Sequence, residues 1–260
     1  MKRIKKLVAL ISAAVLLAVL LLGANTIFTV TEIEIAFAVS SEQAYEDSLT
    51  LQKTLEGQYL GENILFVSEK EAVACFDGYT FLSVESFSKS YPSSLRISVT
   101  EKEEVYAFAE SDGEDTIYHM CSGSGEILRV SDANENNVDG GPNLLVEGLE
   151  YSESAGFADD GNYEAALAAC VQLDGLADGI RTCFLSLEVS STVTATEFLI
   201  STHEGVSIEI DSPSVSLSEK IDLAFGMYQS LEDGEKLYGT IIVVDDSSGT
   251  GIIGTYRPRA

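Results

Sequence analysis

From Leu7 to Thr31 the chain carries no charge, and its strongest apolar stretch is Leu7 to Leu22. A run of this length reaches the roughly 20 residues that a helix needs to span about 30 Å of hydrocarbon. Lys2, Arg3, Lys5 and Lys6 precede it, and Glu32 and Glu34 follow it. The predicted layout is a cytoplasmic tail over 1–6, a single transmembrane helix over 7–30 and an extracytoplasmic remainder, oriented by the basic flank. The competing reading is a signal peptide cleaved after Gly23 or Ala24. No cysteine follows the apolar run, so there is no thiol to acylate.

Beyond the run the period shortens to two. Ile33, Ile35 and Phe37 alternate with Glu32, Glu34 and Ala36, which predicts a half-buried strand. Ser40 with Gln43 offers a capping box. Ala44, Ser48, Leu51 and Leu55 then form one helical face, with Gly57 as its stop. Ser68 with Glu71 opens a second, short helix through Ala72, Val73 and Phe76, ended near Gly78. A strand is predicted over 79–87, a turn over 91–94, and a strand in which Leu95, Ile97 and Val99 alternate with Arg96, Ser98 and Thr100. The order is strand, helix, helix, strand, strand. Two helices can cover one face of such a three-stranded sheet, which keeps open edges.

These residues carry a resemblance. The stretch from Tyr91 to Val105, with Pro92, Leu95, Ile97, Val99, Glu101 and Lys102 at the places of a proline, an alternating apolar triplet, a glutamate and a basic residue, resembles the POTRA domain of the bacterial cell-division proteins FtsQ and DivIB. Asn63-Ile64-Leu65-Phe66 is similar to that family's link between the two helices. The resemblance implies a POTRA-like domain over 31–101 and an FtsQ/DivIB-like β domain over 102–260. The implied fold class is α+β: one transmembrane helix, a β-α-α-β-β domain, then a mainly β domain with two helices.

The second part reads as strands over 105–109, 117–121 and 126–128, the last two joined by the turn Ser122-Gly123-Ser124-Gly125. The family has a similar turn with an aspartate near its start; Cys121 or Ser122 stands there instead. Pro142 to Gly148 is similar to the family's proline-to-glycine segment. An alanine-rich helical pattern covers 162–173, and strands follow at Leu185-Leu187-Val189, Phe198-Ile200 and Val206-Ile208-Ile210. Ser216 with Glu219 caps a helix carrying Ile221, Ala224, Phe225, Tyr228 and Leu231. Two closing strands, 237–244 and 251–256, flank the polar turn Asp245-Asp246-Ser247-Ser248-Gly249. Lys220 fills the family's lysine place near the helix start, and Asp211 stands where the family often has glycine.

Charge narrows the partners. The 260 residues hold 42 acidic and 15 basic side chains, net -27; after residue 6 the balance is 11 basic against 42 acidic, or -31. A body this negative is repelled by nucleic-acid phosphates, so nucleic acid is not an expected partner. Cys75, Cys121, Cys170 and Cys183 match no metal or redox spacing. They read as unpaired thiols, with Cys170 and Cys183 the pair to bridge if any does. His119 and His203 lack metal-binding or triad spacing and read as strand or turn residues. Asp132-Ala133-Asn134-Glu135-Asn136 begins like a calcium loop, but Asn137 and Asn143 stand where an EF-hand needs glycine and glutamate, leaving a solvated loop as the expectation. Asp245, Asp246 and Ser248 read as a hairpin turn. No cofactor or metal is expected.

The resemblance implies a non-catalytic, single-pass scaffold of the divisome at the septal cell membrane. It implies small coiled-coil partners, FtsB (or DivIC) and FtsL, that add a strand to the β domain's edge. Carried over, the partner-binding residues are Thr240, Ile241, Ile242, Val243, Val244, Ile252, Ile253 and Tyr256. The alternative class is a membrane-anchored extracytoplasmic enzyme or solute-binding protein; a deep pocket or hydrolase activity would favour it. A POTRA module of an outer-membrane transporter needs a following barrel, and the remaining chain is too short for one.

Overall fold

The computed structural model describes residues 11–12, 14–16, 23 and 26–259, apart from 113–114, 153, 178, 193–194 and 247–250. Among these residues the fold is mixed α/β and mostly sheet. The chain divides into two compact units, Met1–Lys102 and Glu103–Ala260.

The expected transmembrane helix over 7–30 is not supported. Among the described residues no helix is long and apolar enough to cross a membrane. The 1–6 tail and much of 7–25 lie outside the described residues. The far end of the expected span is instead tied into the first unit. Ile64 N donates to Phe28 O and Val30 N to Glu62 O, both at 2.8 Å, and Val30 is buried. Residues consumed in that pairing cannot extend a membrane helix.

The first unit has β1 (Glu32–Ala38), α1 (Glu42–Tyr59), α2 (Glu69–Ala74), β2 (Leu82–Ser90) and β3 (Ser94–Glu101). The sheet order is β1-β3-β2, with β1 parallel and β2 antiparallel to β3. Register places Ile33 beside Leu95, Ile35 beside Ile97 and Phe37 beside Val99. The alternation thus puts one apolar row on one face, and Leu95, Ile97 and Val99 are buried. From α1, Ala44, Ser48, Leu51, Leu55 and Tyr59 are buried at helical spacing. Burying Leu51 and Leu55 contributes about 1.5–3 kcal/mol each. The cap is Ser41 rather than Ser40: its hydroxyl accepts from Ala44 N at 3.2 Å. Gly57 does not stop the helix, which runs on to Tyr59. The Ser68 hydroxyl accepts from Glu71 N, as the spacing predicts.

The second unit has β4 (Glu104–Asp112), β5 (Asp115–Ser122), β6 (Ile127–Ser131), β7 (Leu144–Glu147), α3 (Tyr163–Leu176), α4 (Ile180–Cys183), β8 (Phe184–Ser191), β9 (Thr196–Thr202), β10 (Val206–Asp211), α5 (Leu217–Ser230), β11 (Gly239–Asp245) and β12 (Ile252–Arg257). They form one nine-stranded sheet in the order β12-β11-β10-β9-β8-β7-β4-β5-β6. Pairs β4–β7, β7–β8 and β10–β11 are parallel. Parallel neighbours need a crossover, and α3 and α5 lie in the crossovers from β7 to β8 and from β10 to β11. Their apolar sides, including Cys170, Leu173, Ile221 and Phe225, close a core with Phe184, Leu187, Phe198, Ile208 and Ile241. Gly148 (φ +83°) follows β7 where a Cβ would meet Val189 O at 2.0 Å, so only glycine lets this loop lie against β8.

Candidate partner-binding edge

β12 ends the nine-stranded sheet. It pairs antiparallel with β11 from Asp245↔Ile252 to Thr240↔Arg257 without a bulge. Asp246 N donates to Gly251 O at 2.8 Å, which makes that pair a hydrogen-bonded one. Such pairs recur every second residue in an antiparallel ladder. Ile253, Thr255 and Arg257 therefore turn their backbone groups toward β11. Ile252, Gly254 and Tyr256 turn theirs outward, where no described strand meets them.

Side chains sort the other way. Ile252 and Tyr256 pack against the helix-covered core, whereas Ile253, 49% accessible, stands on the opposite face. The Tyr256 hydroxyl lies 2.9 Å from the carbonyls of both Glu235 and Tyr238 and shares its one proton between them, pinning β12 to the segment before β11. At Gly254 a Cβ would lie 2.3 Å from Met227 Sδ and 3.3 Å from Leu223 Cδ2. Gly254 thus lets α5 reach up to the edge strand.

The structure separates the two carried-over stretches. Ile252, Ile253 and Tyr256 lie on the border strand. Thr240, Ile241, Ile242, Val243 and Val244 lie on β11, whose backbone is occupied by β10 on one side and β12 on the other. Ile241 and Val243 are core residues, and Thr240, Ile242 and Val244 are half-buried on the face opposite the helices. The turn residues 247–249 lie outside the described residues.

Lys220 is fully buried. Its ammonium donates to Asp211 O (2.8 Å), Ser212 O (3.0 Å) and Asp245 Oδ2 (2.9 Å). The lysine ties the start of α5 to the ends of β10 and β11. Ser216 has φ +49° and makes no capping bond through its side chain, so the expected capping box is absent there. In the first unit, Glu101 accepts from Ser40 N (2.5 Å) and Ser41 N (3.0 Å), placing a carboxylate at the start of α1. Pro92 follows a cis peptide bond in the turn before β3.

Three polar arrangements escaped the sequence reading. Glu104, its side chain wholly buried, accepts from Arg129 at 2.7 and 3.2 Å and from Asn137 N at 2.9 Å. The expected solvated loop over 132–143 is thereby drawn inward: Asn136 Nδ2 donates to Glu104 O (2.7 Å) and Asn143 Oδ1 (2.8 Å). No local spacing signals a pair 25 residues apart. His119 is buried against Tyr151 (ring centroids 4.4 Å) and Phe157 (5.1 Å), with Nε2 2.8 Å from Glu110 Oε2. Tyr228 donates to Glu204 at 2.5 Å.

A cavity of about 470 Å³ is lined by Ala109, Glu110, Thr116 and the stretch from Glu147 to Tyr151. These side chains offer carboxylates, a phenol and the Thr116 hydroxyl. All four cysteines are free thiols. Among the described residues no three His, Cys, Asp or Glu side chains come together to hold a metal ion. Comparison of the chain with protein-family models and with curated proteins finds no match.

Proposed function

We propose that the chain is a non-catalytic scaffold whose second unit docks an extended segment of another protein along β12. The observation that carries this reading is the outer side of β12, which pairs with no strand among the described residues and presents the backbone groups of Ile252, Gly254 and Tyr256. An open border offers a row of donors and acceptors that a foreign strand can complete. The resemblance of Tyr91–Val105 and of the closing strands to the FtsQ and DivIB family supports placing this docking in the septal cell-wall machinery. The partners are then small coiled-coil division proteins of the FtsB (or DivIC) and FtsL kinds.

The test is a single proline. Ile252→Pro removes an outward N–H while leaving the ladder to β11 formed by Ile253, Thr255 and Arg257. The full chain, used as bait on detergent-solubilised membranes of the source cell, should retain septal coiled-coil proteins. The Ile252→Pro bait should retain them at least tenfold less, with an unchanged far-UV circular dichroism spectrum. Equal retention by both baits would remove β12 as the docking element. Recovery of no division protein by either bait would remove the septal assignment.

A further inference from the structure

The second unit is strongly acidic, and its six basic side chains divide sharply. Arg129 pairs with Glu104 at 2.7 Å, Arg181 with Asp139 at 2.8 Å, Lys220 with Asp245 at 2.9 Å and Lys236 with Glu204 at 3.8 Å. Lys236 also lies over the Tyr228 ring. The remaining two, Arg257 and Arg259, form no ion pair with any described residue, and both are exposed. Arg257 is the final residue of β12, and Arg259 follows two positions on. In a unit so rich in carboxylates, the two cations without an ion-pair partner among the described residues both fall at one end of the open border.

The same border has an apolar middle. Ile253 stands exposed on one face. On the other face, Met227 and Leu223 of α5, both partly buried against the core, reach the strand where Gly254 lacks a side chain. A thioether adapts its shape to whatever rests on it.

Resting on the proposed strand docking, we infer that the segment bound at β12 is apolar at its centre and acidic at the end facing Arg257 and Arg259. Carboxylates there meet guanidinium groups that pair with no described residue, and the surrounding negative field turns away acidic segments set in any other register. A second copy of this chain is a poor occupant, because each copy carries -31 after residue 6 (11 basic against 42 acidic residues). Charges on an edge strand also serve to discourage aggregation, a role that either sign fills equally. The experiment therefore reads the sign.

A display library of random 12-residue peptides is selected on the full chain, on R257E/R259E and on Ile252→Pro. Peptides that bind the unaltered chain and are lost on Ile252→Pro should carry Asp or Glu at one end. They should bind R257E/R259E about tenfold more weakly at low salt, and their affinity should fall as salt rises. R257E/R259E should select Lys or Arg at the same end. Proline-sensitive peptides without acidic bias, or with equal affinity for the charge-reversed chain, would overturn the acidic partner and leave edge docking standing. If every selected peptide is indifferent to Ile252→Pro, edge docking itself falls. A homodimer dissolved by Ile252→Pro would put a second copy on the border and overturn the inference.

Discussion

Replacing Lys220 by methionine tests how the border strand is held in place. Methionine keeps the apolar stem that packs in the core and deletes the ammonium. Three acceptors lose the ammonium: the carbonyl of Asp211, the carbonyl of Ser212, which still accepts from Val215 N at 3.1 Å, and one oxygen of Asp245. A part-buried carbonyl that loses its donor, as Asp211 O does, costs about 1–3 kcal/mol, and Ser212 O, which keeps one donor, adds less. Asp245, whose side chain is 33% accessible, recovers water and adds little. Breaking a fully buried pair costs about 3–5 kcal/mol, so the partial exposure of Asp245 brings the expected loss to about 2–4 kcal/mol. With a urea dependence of about 2 kcal/mol per molar, the midpoint of the second unit falls by about 1–2 M. Far-UV circular dichroism in urea follows the transition. Hydrogen exchange should localise the loosening to the amides of β10 and β11. Asp245→Asn keeps an acceptor oxygen and should cost less than Lys220→Met. A Lys220→Met midpoint within about 0.2 M of the parent would refute the reasoning, because three hydrogen bonds to a buried ammonium would then contribute nothing.

Two further expectations concern titratable groups. Burial pushes the Cys121 thiol up to about 12 and raises that of Cys170 as well, whereas Cys75 and Cys183 are half-exposed. Alkylation of the native protein followed by mass spectrometry should label Cys75 and Cys183 quickly and the other two only after denaturation; four equally fast thiols would contradict the packing. The Glu197 carboxyl is raised above its usual range, first by desolvation and then by Glu209 and Asp211 beside it. Its folded form therefore holds a proton more readily than the unfolded form, so the ionised group opposes folding at neutral pH and ceases to as pH falls through the carboxylate range. Glu197→Gln should raise the melting temperature at pH 7 and lose that advantage below about pH 4.5. A gain that is the same at both pH values would point away from charge.

Period-two alternation was the most legible feature. Leu95, Ile97 and Val99 had one buried face to choose, and β3 took it with β1 in register on one side and β2, with one register shift at Val84/Ser86, on the other. The helical faces of α1 and α5 were readable for the same reason, because buried residues recur at 3.6. The caps were less so: Ser40 and Ser41 are both good caps, and contact with Glu101, sixty residues on, accompanies the choice of Ser41. The apolar run over 7–30 read as one long helix, yet its end at Phe28–Val30 bonds to the loop at Gly61–Ile64, a partner no local window contains. Strand order was equally hidden. β11 and β12 have similar composition, but only the pairing with β10 makes β11 interior and β12 a border. The buried Glu104–Arg129 clamp left no trace, since an acid followed by a strand reads as ordinary surface.

The grip on β4 has a mechanical consequence. This strand starts at Glu104, directly after the division between the units, and is held on one flank by β5 and on the other by β7. A pull entering at residue 103 along the strand must shear both ladders at once, with the Glu104–Arg129 clamp loaded at the point of entry. A strand docked on β12 is held along one side alone. If the proposed docking holds, rising tension would make the attachment slip before β4 is drawn from its sheet, and the second unit would survive to take another partner.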